Sequence, residues 1–470
     1  MAQQSGEREP AGVGWKALAL AALLTCAVAV YNGFPLTYPD TGSYVDNAID
    51  LLRVKKPWIF FRPLTYGALL VPFANRLTIW LLPLVQGALV AAAVALALTM
   101  ARVRLSSRAF VAVFAGLSLL TSLSWFSGQI MPDVFTPIVI LLASAVVWTP
   151  DPVGSPRFWG ITVLLALGIA SHLSHFPLYA MLLPAAIVGR LALDPAARSW
   201  RRAAMLAMRG AAPLLAAGLI VIAPNYVLYR KAVLSRGSPL FALGHLVGDG
   251  SVQRYLERAC PQHPYALCSD LATLRPDVDW FMWDPNGPRA RSAAAMAHGD
   301  STLLREAPLI VAGTLRQEWP AVIRHSFRDT AVQLVTFGVH PGEQAYSAAV
   351  EASMRRLGPS VEAAYAESRQ ARGAIPAATV SRIHYWVVCA GLLGLLLSLP
   401  ALRDPVHRPL WGLAVTAAIG VVANAAILAS LSTVHPRYQS RVIWLVPLLG
   451  TVAALRWLER GRADRRGDEA

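Results

Sequence analysis

The chain has 470 residues, of which 55% are hydrophobic and 15% are charged, and its mean hydropathy is +0.47. Soluble domains carry about 25% charged residues, so this composition excludes an ordinary soluble enzyme. Lys and Arg number 42 against 27 Asp and Glu, a formal charge of +15, but most of the surplus flanks apolar runs, which indicates helix orientation in a membrane rather than nucleic-acid binding.

Apolar runs of about 20 residues, long enough to cross a bilayer, recur along the chain. The first begins at Trp15 and ends at Phe34. We interpret it as a membrane helix rather than a secretory signal, because no A-x-A cleavage site with a polar exit follows it. The later predicted spans are 78-101, 108-127, 134-149, 158-171, 175-192, 210-229, 383-400, 409-430 and 441-457. The predicted fold class is an all-α polytopic membrane protein with about ten transmembrane helices.

The basic residues predict how these spans are oriented. Arginines concentrate in both tails and in the short connections after the second, fourth, sixth and eighth spans. The opposite connections at 128-133 and 172-174 contain no Lys or Arg, and 431-440 contains Arg437 alone. Because cytoplasmic connections carry the excess of Lys and Arg, both termini are predicted to be cytoplasmic.

Residues 57-75 are apolar enough to form a further span. They contain Arg62 and three prolines, and a charge at the bilayer centre costs about 2.5 kcal/mol or more, while prolines interrupt a regular helix. We therefore predict that this segment lies along the outer interface. If it crossed instead, every later span would be inverted.

The spans divide the chain into three predicted parts. The first is a transmembrane module whose first outer loop, 35-77, holds interfacial helices. The second is a mostly helical extracytoplasmic loop domain, and the third contains the last transmembrane helices and a basic cytoplasmic tail. Their bounds are 1-230, 231-382 and 383-470.

Two cysteines of the extracytoplasmic domain, Cys260 and Cys268, are close in sequence. Outside the cytosol such a pair is predicted to form a disulfide.

Two acidic residues at predicted membrane edges are candidate catalytic groups. Asp40 follows the first span directly, and Asp133 begins the fourth, so both fall on the predicted outer face. Holding a carboxylate against hydrocarbon is costly, which makes such residues functional candidates. Together they can divide proton acceptance and the positioning of substrate or metal. The alternative is that each caps the helix that follows it.

Cations in the first outer loop run against the orientation rule. Lys55, Lys56 and Arg62 lie where basic residues are disfavoured. A phosphate-bearing lipid would account for them, because a guanidinium donates two hydrogen bonds to phosphate at once. The alternative is that their side chains extend to the lipid headgroups.

Histidines and aromatic residues on the same predicted face extend this candidate set. His172 and His175 are spaced to share a helical face, and either phosphate or acceptor contact or a structural role would suit them. The last outer turn holds His435, Arg437 and Tyr438, followed by a second guanidinium at Arg441. These residues would line a phosphate pocket or anchor the chain at the interface.

This layout resembles the GT-C superfamily, the integral-membrane glycosyltransferases that use polyprenyl-phosphate sugars. The resemblance covers the amino-terminal 140 residues and, more loosely, the carboxyl-terminal 60. In many members the first loop has two adjacent acids, whereas Asp40 lies between Pro39 and Thr41. The matching segments are Tyr38-Pro39-Asp40, Lys56-Pro57-Trp58, Arg62-Pro63, Pro132-Asp133 and Arg437-Tyr438.

The resemblance implies an inverting glycosyltransferase that works on the extracytoplasmic face. Its implied partners are a polyprenyl-phosphate-linked sugar, a lipid or glycan acceptor and membrane lipids, with no nucleic acid. No cofactor or resident metal is indicated, although a divalent cation is left open. The predicted catalytic residues are Asp40 and Asp133, and the predicted substrate-binding residues are Tyr38, Lys55, Lys56, Arg62, His172, His175, His435, Arg437 and Tyr438.

Two other functions fit the same layout. An O-antigen polymerase or ligase would also have many spans and a large outer loop, but it would depend on Arg and His rather than on Asp40. A lipid or glycan transporter would carry charged or broken helices near the bilayer midplane. The Arg- and Ala-rich composition and the lack of a recognised organelle signal favour the bacterial inner membrane for any of the three.

Overall fold

The structure, a computed structural model, describes residues 13–149, 151–292, 301–339, 347–399 and 405–468. In these ranges the regular elements are all helices, with one isolated bridge between Leu36 and Gln129. The predicted all-α class is therefore correct for the part of the chain that the structure describes. Residues 1–12, in the tail predicted to be cytoplasmic, lie outside these ranges.

The described α-helices up to residue 229 are α1 (Trp15–Leu24), α2 (Ala27–Asn32), α3 (Thr41–Leu52), α4 (Leu64–Leu70), α5 (Leu81–Met100), α6 (Ser107–Leu120), α7 (Leu123–Ser127), α8 (Phe135–Trp148), α9 (Pro156–Ser171), α10 (His175–Leu193) and α11 (Trp200–Tyr229). Those that follow are α12 (Ser238–Gly248), α13 (Ser251–Ala259), α14 (Val278–Met282), α15 (Pro288–Arg291), α16 (Thr302–Val335), α17 (Ser347–Leu357), α18 (Pro359–Ala366), α19 (Ala377–Ser398), α20 (Arg408–Leu431), α21 (Pro436–Ile443) and α22 (Leu445–Asp468). The 3-10 helices are Val71–Phe73, Pro132–Val134, Pro195–Ala197, Ala266–Thr273 and Pro405–His407.

Among the described residues, seven helices or helix pairs are long and apolar enough to cross a membrane. They are α1 with α2, α5, α10, α11, α19, α20, and α21 with the first part of α22. These helices indicate a multi-pass membrane protein. The other predicted spans, 108-127, 134-149 and 158-171, correspond to α6, α8 and α9, which have 14, 14 and 16 residues. The count of ten spans therefore stays a prediction.

Serine side chains cap the amino-terminal ends of several of these helices. The Oγ atoms of Ser106, Ser155, Ser199 and Ser301 accept hydrogen bonds from the backbone N–H groups that open α6, α9, α11 and α16. Such caps satisfy donors that have no partner within the helix. The basic first turn of α11 is thus part of the helix, which begins ten residues before the predicted span at 210-229.

The predicted span 108-127 is not one continuous helix. The chain leaves helical geometry at Thr121, where α6 ends, and resumes as α7. The hydroxyl of Ser122 donates to the carbonyl of Ser440 at 2.5 Å. This bond ties the break to α21.

The helix α8 lies at the centre of the bundle. All of its residues are buried, and it packs against α5, α9, α10 and α20. Burial on every side explains why its sequence is apolar throughout rather than amphipathic. Its amino-terminal end leads directly from the turn that carries Asp133.

A second apolar core lies between α12, α13, α14 and α16, where Leu243, Leu256 and Phe281 are buried. Phe60, from the segment before α4, belongs to the same core. Cys260 and Cys268 form a disulfide beside it, with Cα atoms 5.8 Å apart. From this core α16 continues onto the bundle, where it packs along α20.

The helix α17 returns to the first loop and packs against α3. The guanidinium of Arg356 lies 2.6 Å from a carboxylate oxygen of Asp46 and 2.6 Å from one of Asp50. The amino-terminal loop is therefore held by a helix more than 300 residues later in the chain.

Candidate functional site

Polar side chains from distant parts of the sequence meet at one end of the helix bundle, which we call the site end. Here α2 and α20 end and α10 and α21 begin. The loop after α2 is held there by backbone pairing: the N–H of Leu36 donates to Gly128 at 2.9 Å, and that of Ile130 donates to Leu36 at 2.8 Å. This pairing brings the loop with Asp40 beside the turn with Asp133.

Asp40 lies between two arginines. One of its carboxylate oxygens is 2.5 Å from Nη2 of Arg62, and the other is 3.5 Å from Nη1 of Arg437. The side chain makes no capping bond to α3, so the alternative of a helix cap is wrong for this residue. Burial alone would raise the pKa of Asp40, but Arg62 and then Arg437 lower it below its ordinary value. Asp40 is therefore a carboxylate at neutral pH.

Asp133 is completely buried and is also held by two arginines. Its oxygens lie 2.6 Å from Nη2 of Arg437 and 3.1 Å from Nη1 of Arg441. It makes no capping bond to the helix that follows. Its ionised form is stabilised by two charge-assisted hydrogen bonds, as a buried charge requires.

Arg437 connects the two acids. Its two terminal nitrogens reach Asp40 and Asp133, and its guanidinium lies 3.7 Å from the centre of the Tyr38 ring. A planar guanidinium with donors in a fixed fork suits such bridging, and stacking on an aromatic face is typical of arginine. Arg437 and Arg441 are four residues apart on α21, so they project from one face of the helix.

Arg441 is fixed by groups that the sequence reasoning did not single out. Its Nη2 donates to Oδ1 of Asn424 on α20 at 2.7 Å and to Oγ of Ser174 at 3.3 Å. Asn424 is an amide within the apolar predicted span 409-430. A polar side chain in a membrane span is a sequence signal for a functional site, but the spans were assigned from their apolar residues alone.

The two predicted histidines have different surroundings. His175 is buried, and its ring nitrogens lie 2.8 Å from Oγ1 of Thr136 and 2.7 Å from the carbonyl of Gly168, which makes it a hydrogen-bonded core residue. His172 lies 2.8 Å from Oγ of Ser174, the group that also contacts Arg441. Burial, reinforced by the nearby cations, lowers the pKa of His172 well below its ordinary value, so this ring is neutral.

A tyrosine four residues after Asp40 was not predicted as a site residue. Tyr44 is one helical turn beyond Asp40 on α3, and its ring packs edge to face against Tyr66 at 5.1 Å. Among the described residues, its buried hydroxyl has no hydrogen-bond partner. Burial raises the pKa of Tyr44, so the hydroxyl stays protonated and can donate to a bound group.

The charges of this network do not cancel. Three guanidiniums, of Arg62, Arg437 and Arg441, face two carboxylates, which leaves one positive charge in excess in a largely buried place. Because an uncompensated buried charge is costly, the network favours an anionic ligand. A phosphate group has the charge and the acceptor oxygens that this arrangement lacks.

A cavity of about 60 Å³ adjoins the network, and it is lined by Tyr38, Arg437, His435, Trp125, Gln129 and Gln370, among others. The Oε1 atom of Gln129 is buried there, and no described residue donates a hydrogen bond to it. Amide groups beside aromatic rings are suited to hydroxyl-rich ligands, since the rings cover apolar faces while the amides accept and donate hydrogen bonds.

The acids do not fit a divalent cation in this arrangement. Within the described ranges no cluster of three or more His, Cys, Asp or Glu is placed to hold a metal ion. The oxygens of Asp40 and Asp133 already accept from arginines, and a metal between them would have to displace those cations.

The remaining predicted residues lie at different distances from the network. His435 packs against the Tyr38 ring at 6.2 Å, and the hydroxyl of Tyr438 lies 2.9 Å from that of Ser432. Lys56 lies 4.0 Å from the centre of the Tyr229 ring, and Lys55 is exposed. Neither lysine forms an ion pair with a described residue, so the structure does not bring them into the Asp40–Asp133 network.

Comparisons of the chain with protein-family models, with curated proteins and with solved structures find no match. The case for a function therefore rests on the chemistry of the site end.

Proposed function

We propose that the protein is an integral-membrane glycosyltransferase of the GT-C type. In this proposal it transfers a sugar from a polyprenyl-phosphate donor to a lipid or glycan acceptor on the extracytoplasmic face of a bacterial inner membrane, with both termini in the cytoplasm. The observation that carries the proposal is the buried network in which Arg62, Arg437 and Arg441 hold Asp40 and Asp133. This network has excess positive charge and adjoins a polar and aromatic cavity.

The membrane setting selects the donor class. Nucleotide sugars are cytosolic, so a sugar transferred on the far side of the membrane must be carried across on a lipid. A polyprenyl chain would stay in the bilayer while its phosphate reaches the arginines at the membrane edge. The excess cationic charge of the network supports binding of that phosphate.

In the proposed reaction, the donor phosphate binds Arg62 and Arg437 and weakens their hold on Asp40. The carboxylate of Asp40 then takes the proton of an acceptor hydroxyl while the oxygen attacks the anomeric carbon. The bond from that carbon to the phosphate oxygen breaks, and the sugar is transferred with inversion. Polyprenyl phosphate leaves with its added negative charge held by the guanidiniums, the electrostatic part of the catalysis.

Asp133 has a positioning role in this scheme. It is fully buried and both of its oxygens are engaged by Arg437 and Arg441, so it orients the guanidiniums rather than accepting a proton. Rigid support of this kind keeps donors aimed at the charge that develops during the reaction.

The cavity beside Tyr38 is the proposed place for one hydroxyl-bearing edge of the transferred sugar or the acceptor, because its volume of about 60 Å³ admits part of a sugar ring. The unpaired Oε1 of Gln129 and the rings of Tyr38 and Trp125 supply the contacts that a carbohydrate uses.

The test uses the purified full-length protein in liposomes with a radiolabelled polyprenyl-phosphate sugar and acceptor lipids. Asp40→Asn should reduce transfer about 10²- to 10⁴-fold, because a general base typically contributes that much. It should bind donor at least as tightly as the wild type, since it removes a negative charge that competes for Arg62. Asp46→Asn is the matched control: Asp46 lies on α3 but pairs with Arg356, and this variant should retain transfer.

Other outcomes point to the alternative functions. Normal transfer by Asp40→Asn, with loss in Arg437→Gln and His172→Ala, would favour a polymerase or ligase mechanism. Movement of the lipid across the bilayer without any product would favour a transporter.

A further inference from the structure

Three aromatic side chains meet beside Arg62. The rings of Phe61, Phe241 and Trp283 contact one another, with centroids 5.1, 5.9 and 6.1 Å apart, and all three side chains are half-buried. We call them the ring cluster. The guanidinium of Arg62 lies 5.5 Å from the centre of the Phe241 ring and 2.5 Å from a carboxylate oxygen of Asp40. The ring cluster therefore adjoins the site through one side chain.

A second guanidinium, that of Arg289, lies on the same rings. Its central carbon is 5.6 Å from the centre of the Phe61 ring and 5.3 Å from the centre of the Trp283 ring. Its Nε donates a hydrogen bond to the carbonyl of Met282 at 2.7 Å. The aromatic contacts are those typical of arginine. They fix the guanidinium without neutralising it, because neither a carbonyl nor a ring carries a negative charge.

The charge of Arg289 has no counterpart in the part of the chain that the structure describes. No carboxylate there forms an ion pair with it, whereas Arg291 on the same short helix lies 2.5 Å from Asp270. Burial lowers the pKa of Arg289, and no described acid offsets this effect. The side chain is still a cation at neutral pH, since arginine is not deprotonated in proteins. A half-buried cation of this kind favours an anionic ligand.

The hydrogen-bond donors of this region are open. Among the described residues, the terminal nitrogens of Arg289 and the indole nitrogen of Trp283 donate to no acceptor, and these atoms are open to solvent. The two terminal nitrogens of a guanidinium match the two oxygens of a carboxylate or a phosphate. Aromatic rings can cover the apolar face of a sugar. Together these groups suit a sugar that carries an acidic group.

The turn that carries Arg289 is closely packed. The N–H of Asn286 donates to Oδ1 of Asp284 at 2.8 Å, and the N–H of Gly287 donates to the carbonyl of Asp284 at 2.9 Å. A Cβ on Gly287 would lie 2.1 Å from the carbonyl oxygen of Trp280, so this close approach requires glycine. The turn thus holds Arg289 in place against the ring cluster. A site formed before its ligand arrives loses less conformational entropy on binding.

We propose that Arg289 and the ring cluster form a subsite for an acidic glycan, the acceptor of the proposed reaction. The carboxylate or phosphate of one sugar unit binds Arg289, and the ring of that unit lies on Trp283 and Phe61. The glycan extends past Phe241, so that its reacting hydroxyl reaches Asp40. The role of the glycan as acceptor rests on the proposed function, whereas the binding of an acidic sugar does not.

Binding is tested by saturation-transfer NMR on the full-length protein in nanodiscs of zwitterionic phospholipid, which avoid sugar-based detergents. The probes are glucose and glucuronic acid. The ring protons of glucuronic acid should receive several-fold more saturation than those of glucose, and Arg289→Gln should remove this preference. Arg291→Gln is the matched control. It removes a guanidinium of the same short helix that pairs with Asp270, and it should bind glucuronic acid as the wild type does.

Two further variants separate binding from folding. Arg289→Lys keeps the charge and should retain the preference for glucuronic acid, and Trp283→Leu should reduce the saturation of its ring protons several-fold. Equal signals for the two sugars in the wild type, or an unchanged preference in Arg289→Gln, would overturn the proposal. It would also be overturned if phosphatidylglycerol in the nanodiscs abolished the signal, since the occupant would then be a lipid headgroup.

The role of the glycan as acceptor is tested in the transfer assay with hexyl glucuronide and hexyl glucoside. Arg289→Gln should raise the KM for the glucuronide about tenfold with kcat unchanged, because a charge-assisted bond remote from the reacting atoms contributes equally to the bound substrate and the transition state. The KM for the glucoside should stay the same. A wild-type protein that transfers no sugar would contradict the proposed function. Normal transfer with an unchanged KM in Arg289→Gln would contradict the acceptor role.

Discussion

At the scale of single residues, Arg437 determines the character of the site. It contacts both acids and stacks on Tyr38, and it is nearly completely buried. Opposite charges in a low-dielectric interior stabilise each other only when their geometry is good and their remaining donors are satisfied. The network is therefore sensitive to the loss of any one partner, and its two acids are predicted to respond differently.

Asp133→Asn is predicted to destabilise the protein. The substitution leaves Arg437 and Arg441 buried without a full negative partner, and breaking a buried pair in this way costs about 3–5 kcal/mol. The free energy of unfolding, measured by denaturant titration of the detergent-purified protein, should fall accordingly. Asp40→Asn is the comparison. Because Asp40 and Arg62 both retain solvent contact, the free energy of unfolding should fall much less in Asp40→Asn than in Asp133→Asn. Equal stability of Asp133→Asn and the wild type would contradict the description of this network.

Arg62→Gln is predicted to shift the pH dependence of transfer. Because Arg62 and Arg437 lower the pKa of Asp40 below 3.8, the free protein keeps its base ionised until the pH falls through that lowered value. Removing Arg62 raises the pKa of Asp40, so the acid limb of kcat/KM should move to higher pH. In the wild type the acid limb of kcat should also lie at higher pH than that of kcat/KM. The bound phosphate competes with Asp40 for the arginines and so raises the pKa of Asp40 in the complex. An acid limb that Arg62→Gln leaves in place would exclude Asp40 as the titrating group.

How far the site could be predicted also depends on the kind of residue. Asp40, Asp133 and Arg437 were recognisable because each is charged at the edge of an apolar run. Tyr44 was less visible, because tyrosines at membrane edges are common. The pairing of Arg356 with Asp46 joins residues more than 300 positions apart, and a single sequence contains no local signal for such a contact.

At the scale of elements, the apolar pattern predicted which segments are helical better than where the helices end. The prediction of 210-229 counted apolar residues and so missed the basic turns that Ser199 caps. The interruption between α6 and α7 depends on Ser122 and its bond to Ser440, a tertiary contact. The helix α16 continues through Pro308 and Pro320, although a proline inside a helix removes a backbone hydrogen bond.

Gly450→Ala is predicted to separate two helices. The helices α19 and α22 pack so closely that a Cβ on Gly450 would lie 2.0 Å from the carbonyl oxygen of Gly391. Small residues allow this approach in membrane bundles, and overpacking costs about 1–3 kcal/mol. The melting temperature of Gly450→Ala should therefore fall. Gly189→Ala on α10 is the control, because its Cβ meets no atom within 4 Å and alanine favours a helix by about 1 kcal/mol. A Gly450→Ala protein as stable as this control would exclude the tight crossing.

At the scale of the whole molecule, three short helices decide the topology. An α-helix rises 1.5 Å per residue, so the 14 residues of α8 reach about 21 Å, less than the roughly 30 Å of a bilayer core. Because α8 is surrounded by other helices, its ends can meet protein and turns rather than lipid. The short helices can therefore belong to a bundle whose outer helices span the full thickness, which keeps the predicted ten spans consistent with the structure.

Labelling of single cysteines tests this topology directly. In a protein with Cys26 and Cys389 replaced by Ser, an impermeant maleimide should label Val54→Cys in intact cells, because Val54 is 94% exposed in the loop predicted to be outside. Arg108→Cys and Val153→Cys, at the starts of α6 and α9, should be labelled only after permeabilisation. One crossing by α5 separates Val54 from Arg108, and two crossings, by α6 with α7 and by α8, separate Arg108 from Val153. Labelling of Val153→Cys but not Arg108→Cys in intact cells would mean that one of those short segments does not cross. The last six predicted spans would then be inverted, and Asp40 would no longer lie on the same side as the connection after α20, which carries Arg437.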